Sequence, residues 1–562
     1  MTGTVLIPPG LLLIAAGILI GIVRGRARDI VLLAAPVLTL YSIWQIPDGV
    51  VLSGSFLGYE VVPVEGDALS RLFATIFAIM AFGGGLFALN QDNHPELAAA
   101  FVYGGSAIGV AFAGDLITVF IFWELMAIGS TIVVWSGQQD GSLRAGLRYA
   151  AIHLLGGVIL MAGVAGEISA SGSTDFQAMQ PDSFSRWLIL AGFLINAGAP
   201  PLSAWLPDAY PEASWSGMVF LSAFTTKTAV YVLLRGFPGA EILIFIGLFM
   251  VFYGIIYAIL ENDMRRILAY SIVNQVGFMV TGIGIGTTMA LNGAAAHAFT
   301  HIIYKALLLM SAGSVLYVTG KRKCSDLGGL FRTMPLTCIC GIIGALSISS
   351  FPLTSGFISK SMISQAAADE HLAVVWFLLA AASAGVFLHA GIKFPWFVFF
   401  QKDSGLRPPE PPWNMKAAMI FFSVLCIWLG VFPEHLYAIL PAEANYVPYT
   451  GAHVVFQLQL LLFSGLAFFL MLGWLKRTLT ITLDFDWLYR GLGKALQRRL
   501  DHKVTRAWGL AVDKAYRGVA RFVGTLYRHH GPQGILARTW PTGSMAFWTT
   551  VLLTAWLILY YL

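Results

Sequence analysis

Apolar residues run in long blocks along nearly the whole chain. Runs such as Leu72–Leu89 and Ile242–Leu260 are long enough to cross a bilayer, which takes about 20 apolar residues of helix. The pattern predicts about sixteen apolar segments of that kind. They fall at 4–23, 30–46, 68–90, 97–113, 115–136, 147–170, 186–205, 215–236, 239–260, 265–285, 288–318, 335–368, 372–400, 416–440, 453–475 and 542–562. The eleventh to thirteenth exceed a straight span, so they are expected to tilt, kink or break. No series of alternating ten-residue strands is present, which excludes a β-barrel. The first segment lacks a basic region before its apolar run, and its arginines follow it. It reads as a transmembrane helix, not as a cleaved signal.

Composition agrees with the pattern. Of the 562 residues, 57% are hydrophobic and 11% charged, too few charges to cover a soluble protein of this size. The net charge is 34 − 29 = +5. In a membrane protein such a bias belongs to cytoplasmic loops, not to a nucleic-acid partner. The basic clusters all follow odd-numbered segments: Arg24, Arg26 and Arg28; Arg144 and Arg148; Arg265 and Arg266; Lys321, Arg322, Lys323 and Arg332; Lys402, Arg407 and Lys416. Asp48, Glu60, Glu65, Asp67, Asp175, Asp369, Glu370 and Glu434 fall on the other side. The positive-inside rule then places both termini outside the cytoplasm. Residues 476–541 break the pattern. Basic residues alternate there with apolar ones at helical spacing, which predicts a cytoplasmic amphipathic helix along the membrane surface or a partner, followed by an anchor at 542–562. A solvated basic tail is the alternative.

Ionisable residues inside apolar helices are costly, so they mark a pathway more often than a packing accident. Glu124, Lys227, Lys360, His389 and Lys393 are of this kind. So are His297, His301 and Lys305 in "HAFTHIIYKALLLMSAG". Their i, i+4, i+8 spacing puts them on one stripe about 12 Å long. Imidazoles and desolvated lysines can exchange protons near neutral pH, with water bridging between them. Packing histidines beside a snorkelling lysine are the bland alternative. A zinc site would lack nearby carboxylate or cysteine ligands, and haem would need histidines paired between helices. "SSFPLTSGF" and "NAGAPPLSAWLPDAYPEAS" place proline and glycine inside apolar segments. They predict one broken helix in each half, as in transporters built from repeats. The four cysteines form no CxxC pair, and no Rossmann glycine fingerprint is present, so no cofactor is expected.

Together "FWEL", "PLSAWLPDAYPEA", "TTKTAVYVLLR", "MRRILAYSIVNQVGF", "HAFTHIIYKALLLMSAG" and "FPLTSGFISK" carry a resemblance over residues 70–440. The chain resembles the large antiporter-like subunits shared by Mrp-type multisubunit cation/proton antiporters and respiratory complex I, closest to the D-type branch. The resemblance implies an all-α polytopic fold with about fourteen core transmembrane helices, two inverted repeats and broken helices, plus a C-terminal amphipathic helix and an anchor. It divides the chain into N-terminal helices (1–96), a first repeat (97–260), a second repeat (261–415), C-terminal helices (416–475), the basic segment (476–541) and the anchor (542–562).

The resemblance also implies roles. Glu124 is the acidic residue that pairs with a lysine, and Lys227 links the first half-channel to the centre. His301 and Lys305 lie on the central relay, and Lys360 ends the second half-channel. His389 and Lys393 resemble a motif of the D-type branch. Two positions depart: Asn196 stands where the family usually has lysine, and Ser203 where it has histidine. Glu124 then needs another cation, such as Lys227, or the first half-channel is altered. The implied function is a proton-conducting subunit of a monovalent cation/proton antiporter in the bacterial cytoplasmic membrane, with Na⁺ as the cation and further membrane subunits as partners. Alternatives are the proton-pumping membrane subunit of an NADH–quinone oxidoreductase or membrane hydrogenase, an energy-coupling subunit for inorganic-carbon uptake, or a scaffold with a degenerate ion path.

Overall fold

In a computed structural model the described residues are 7–137, 141–474, 484–531, 534 and 541–561. The starts of the first expected span and of the basic segment lie outside them. Two compact units are present, 1–486 and 487–562.

The first unit opens with α1 (Pro9–Ile22) and α2 (Gly25–Ile43), then a two-stranded antiparallel sheet, β1 (Gly49–Phe56) and β2 (Tyr59–Gly66). Helices α3 (Ala68–Phe87), α4 (His94–Phe112), α5 (Leu116–Trp135) and α6 (Ser142–Ser171) follow. The seventh segment stops at α7 (Phe184–Ala197), and its continuation holds α8 (Trp205–Ala209). Next come α9 (Gly217–Leu221), α10 (Thr225–Gly236), α11 (Ile242–Leu260), α12 (Met264–Ile285) and α13 (Thr288–Thr319). The twelfth segment is divided into α14 (Pro335–Ile348) and α15 (Ser355–Asp369). Then α16 (Ala373–Val386) runs on through π-helical turns at Phe387–Lys393 and Trp396–Phe400. Helices α17 (Trp413–Val431), α18 (Glu434–Tyr437) and α19 (Gly451–Leu470) follow. The second unit holds α20 (Gly493–His530) and α21 (Thr542–Tyr561).

Twelve of the described helices are long and apolar enough to cross a membrane. The chain is a multi-pass, mainly helical membrane protein. The 14-residue helices α7 and α14 are each only about 21 Å long. Each falls short of the roughly 30 Å hydrocarbon layer, so the span must be completed beyond the break. Left-handed backbone marks both breaks: Gly198 (φ 81°) ends α7, and Ser350 (φ 58°) and Leu353 (φ 68°) sit between α14 and α15.

Of the three over-long segments, the twelfth breaks and the thirteenth relaxes into π turns. The eleventh runs unbroken as α13, about 48 Å at helical rise. It holds no proline. The Thr287 hydroxyl accepts from the Ala290 amide at its start, and left-handed Gly320 closes its end.

The hairpin departs from the all-helical expectation. Leu57 (φ 51°) and Gly58 (φ 86°) form the two-residue turn with positive φ at both positions that matches strand twist. A leucine at that turn, in an apolar context, hides the signal.

The loops after odd-numbered segments contact one another. Arg28 donates to the carbonyls of Leu89 (2.7 Å) and Gln91 (2.8 Å). Arg265 holds the carbonyls of Pro211, Ala213 and Ser214 at 2.7–2.9 Å. Arg322 pairs with Glu212 and Asp263, both at 2.9 Å. These ties join loops after odd-numbered segments into one face. On the opposite face Arg71 pairs with Asp48 (2.6 Å) and Arg235 with Asp67. The centre lies at α10, α12 and α13. The apolar windows of Gly217–Gly236 and Met264–Ile285 are wholly buried, so their polar side chains face protein, not lipid.

Candidate ion-translocation site

The stripe on α13 is buried as expected: His297, His301 and Lys305 have no exposed surface. Its members are held differently. His297 is locked, with Nδ1 2.9 Å from the Ser359 hydroxyl on α15 and Nε2 3.1 Å from Gln275 Oε1 on α12. Both ring nitrogens of His301 and the Lys305 ammonium lack a hydrogen-bond partner among the described residues. The His297 and His301 rings stand 6.3 Å apart.

The other lysines are tethered to carbonyls freed by helix breaks. Lys227 donates to the Ser222 carbonyl (2.6 Å), in the break between α9 and α10, and to the Thr226 hydroxyl (3.1 Å). Lys360 donates to the Ile348 carbonyl (2.9 Å), the last residue of α14, and lies over the Phe278 ring at 4.8 Å. A broken helix exposes backbone oxygens that would be costly to bury alone, and each lysine satisfies one. His301 lies within electrostatic reach of Lys227, His297, Lys305 and Lys360, and Lys305 within reach of Lys227 and Lys360.

Lys360 borders a cavity of about 310 Å³ with Gln365, Ser383, His453 and Gln457 in its wall. His453 Nε2 lies 2.9 Å from Gln365 Oε1, and Gln365 in turn donates to Asp369 (2.7 Å). The cavity thus runs from the lysine toward the acidic face.

Lys393 sits at the end of α11, donating to the carbonyls of Ala258 (3.2 Å), Ile259 and Glu261 (2.5 Å). That is a helix C-cap. His389 Nδ1 bonds the Gly385 carbonyl (2.8 Å), while Nε2 has no hydrogen-bond partner among the described residues.

The first half is built otherwise. Glu124 on α5 lies against Gly157 of α6, so close that a β-carbon there would overlap Oε1. The expected alternative partner is not engaged: among the described residues no ion pair joins Glu124 to Lys227, whose ammonium is held by Ser222 and Thr226. Asn196, the last but one residue of α7, is 1% exposed, and neither of its amide atoms has a hydrogen-bond partner among the described residues.

The sequence reading passed over His153, one turn before Gly157 on α6 and 2% exposed. Its ring packs on Tyr149 (4.0 Å between centroids) and Trp205 (4.7 Å). The same criterion that picked out Glu124, an ionisable group in an apolar segment, applies to it in "YAAIHLLGGVIL". Gln275 and Ser359 were also missed, because only the fold brings them to His297.

Comparison with known proteins places these motifs. Residues 113–387 match the family described as NADH:quinone oxidoreductase/Mrp antiporter, TM. The D-type subunit of a Na(+)/H(+) antiporter of Alkalihalophilus pseudofirmus is 31% identical over 376 residues, 61% of this chain and 72% of that protein. The A/B-type subunit of a probable K(+)/H(+) antiporter of Rhizobium meliloti is 29% identical over 422 residues, 68% of this chain; the chain spans 42% of that longer relative. Among solved structures, a chain of the Mrp complex of a Dietzia species superposes with a TM-score of 0.65 at 20% identity, covering 80% of this chain and 95% of that one. A chain of the membrane-bound sulfane sulfur reductase, an archaeal respiratory membrane complex, superposes with a TM-score of 0.72 at 22% identity, covering 99% of both chains.

Proposed function

The chain belongs to the NADH:quinone oxidoreductase/Mrp antiporter family, and from that premise we propose that it is the proton-conducting subunit of a multisubunit monovalent cation/proton antiporter. Na⁺ is the exchanged cation, further membrane subunits are the partners, and the bacterial cytoplasmic membrane is the location. The observation that carries the reading is the buried cluster of Lys227, His301, Lys305 and Lys360, with its cavity beside Lys360.

Several cations in one apolar site repel one another, so the group gains one proton most easily by losing another. In this mechanism a protonated Lys227 or Lys360 donates to its break carbonyl, and deprotonation frees it. His301 and Lys305, with no fixed partner, carry the charge between them. Lys360 delivers it to the cavity toward Asp369. Glu124 is the acidic group of the first half. The chain's own residues do no redox chemistry in this scheme.

A second reading is favoured by one observation, the 99% coverage of both chains in the match to the sulfane sulfur reductase complex. In that reading the same path answers to electron flow in partner subunits. Purification of the native complex in mild detergent, with identification of the co-purifying subunits, separates the two. Small hydrophobic partners without redox proteins are expected. Partners bearing flavin, iron–sulfur clusters or nickel would replace the antiporter by a redox-driven pump.

A further inference from the structure

We infer that His153 is a proton-carrying residue of the first half of the path, bridging Glu124 to the hydroxyl cluster beside Lys227. The inference rests on the proton-conducting reading above. On α6, Tyr149, His153 and Gly157 recur at i, i+4 and i+8, each about 6 Å further along one face. Glu124 lies against Gly157 at one end of that stripe. At the other end the Tyr149 hydroxyl donates to Ser130 (2.9 Å) and stands 3.5 Å from the Thr225 hydroxyl, which is itself 2.6 Å from the Tyr103 hydroxyl. Thr225 is next in sequence to Thr226, which accepts from the Lys227 ammonium (3.1 Å). His153 occupies the middle.

Among the described residues, both of its ring nitrogens are buried and without a hydrogen-bond partner, as are both amide atoms of Asn196 and Oε1 of Glu124. Asn196 and His153 interact across the α6–α7 contact without hydrogen-bonding geometry. Buried polar atoms of this kind are ordinarily joined by water; four lie where α6 meets α7, and the fifth, Oε1 of Glu124, lies one turn further along α6 against Gly157. The opposite side of α6 carries Leu147, Leu154, Leu155 and Val158, all exposed along the apolar surface. A histidine placed on the inner face is therefore there by position, not for want of a lipid-facing site.

Imidazole suits a relay because it can accept a proton on one nitrogen while releasing one from the other. Neither Asn196 nor Tyr149 can take up charge that way at neutral pH. Of the other ionisable groups on the elements around His153, Asp208 pairs with Arg148 at 2.6 Å, Arg186 of α7 pairs with Glu167 at 3.0 Å, and Tyr210 packs on Tyr149. Asp208 is thus committed elsewhere.

Two measurements test this. In vesicles holding the native complex, His153→Gln should slow proton-coupled cation exchange by about tenfold or more. Adding Asn196→Lys to that variant should restore exchange to within about threefold of wild type, which mere repair of packing would not achieve. If wild type itself shows no exchange, the antiporter reading fails on its own. His153 is then judged by the second measurement, histidine C2-hydrogen exchange in wild-type protein, read by mass spectrometry. His153 should exchange faster than His297, which Ser359 and Gln275 lock. Exchange at His153 no faster than at His297, or full transport in His153→Gln, would overturn the proposal.

Discussion

Two stripes with the same period run through this molecule. On α13, His297, His301 and Lys305 recur every four residues. On α6, Tyr149, His153 and Gly157 do the same. The first carries its ionisable groups on a single helix and is surrounded by protein. The second is completed from outside, by Glu124 of α5 and Asn196 of α7, on a helix whose other side is exposed. The difference is one of assembly. A relay written on one helix can be read from periodicity. A relay shared among three helices needs the fold before its members meet.

The comparison can be broken by substitution. The largest effect should come from Lys360→Ala on the α13 side. It removes the donor to the Ile348 carbonyl and the cation beside the cavity, so exchange in vesicles should vanish while the complex still assembles on a sizing column. Normal exchange would remove the second half-channel from the account.

On the α6 side, Gly157→Ala forces the Glu124 carboxylate to move, since the added carbon would overlap it. Misplacing a reacting group by about an ångström should slow transport on the order of tenfold to 100-fold. An unchanged rate would show that the position of Glu124 does not matter.

A smaller effect is expected away from both stripes. Asp484 accepts from the Tyr253 (2.7 Å) and Tyr270 (2.5 Å) hydroxyls and ties the end of the first unit to α11 and α12. Asp484→Asn should lower thermal stability in detergent by about 1–2 kcal/mol, with transport kept. An unchanged melting temperature would mean the tie is not needed.

The smallest belongs to Ser359→Ala. It deprives His297 of one partner, yet Gln275 remains, so exchange should stay within about twofold of wild type. A collapse like that of Lys360→Ala would make His297 a carrier and not a fixed post.

Much of this arrangement was legible in the sequence. Proline and glycine at 198–207 and 352–356 announced the breaks after α7 and α14, because each interrupts an apolar run that is otherwise helical. The caps at Thr287 and Gly320 explain why α13, longer still, does not break. The α13 stripe was readable because all three groups share one segment.

The rest depended on contacts between segments. That Lys227 and Lys360 reach back to break carbonyls follows from the course of the backbone around each break. That Lys393 caps α11 joins residues more than 130 positions apart. The meeting of residues 124, 153, 157 and 196 is a tertiary fact, and a lone histidine in an apolar run gives no hint of it. The hairpin at Gly49–Gly66 was hidden because its turn is Leu57–Gly58 and not one of the Asn-Gly or Asp-Gly pairs that announce a two-residue turn.

The most direct test of the central claim is Na⁺ exchange driven by an imposed pH gradient, in vesicles holding the native complex with wild-type chain or Lys305→Ala. Wild type should exchange Na⁺ for protons, and Lys305→Ala should not, although it assembles equally well. Exchange at wild-type rates with alanine at 305 would contradict the account, because the proton path would then not run along α13.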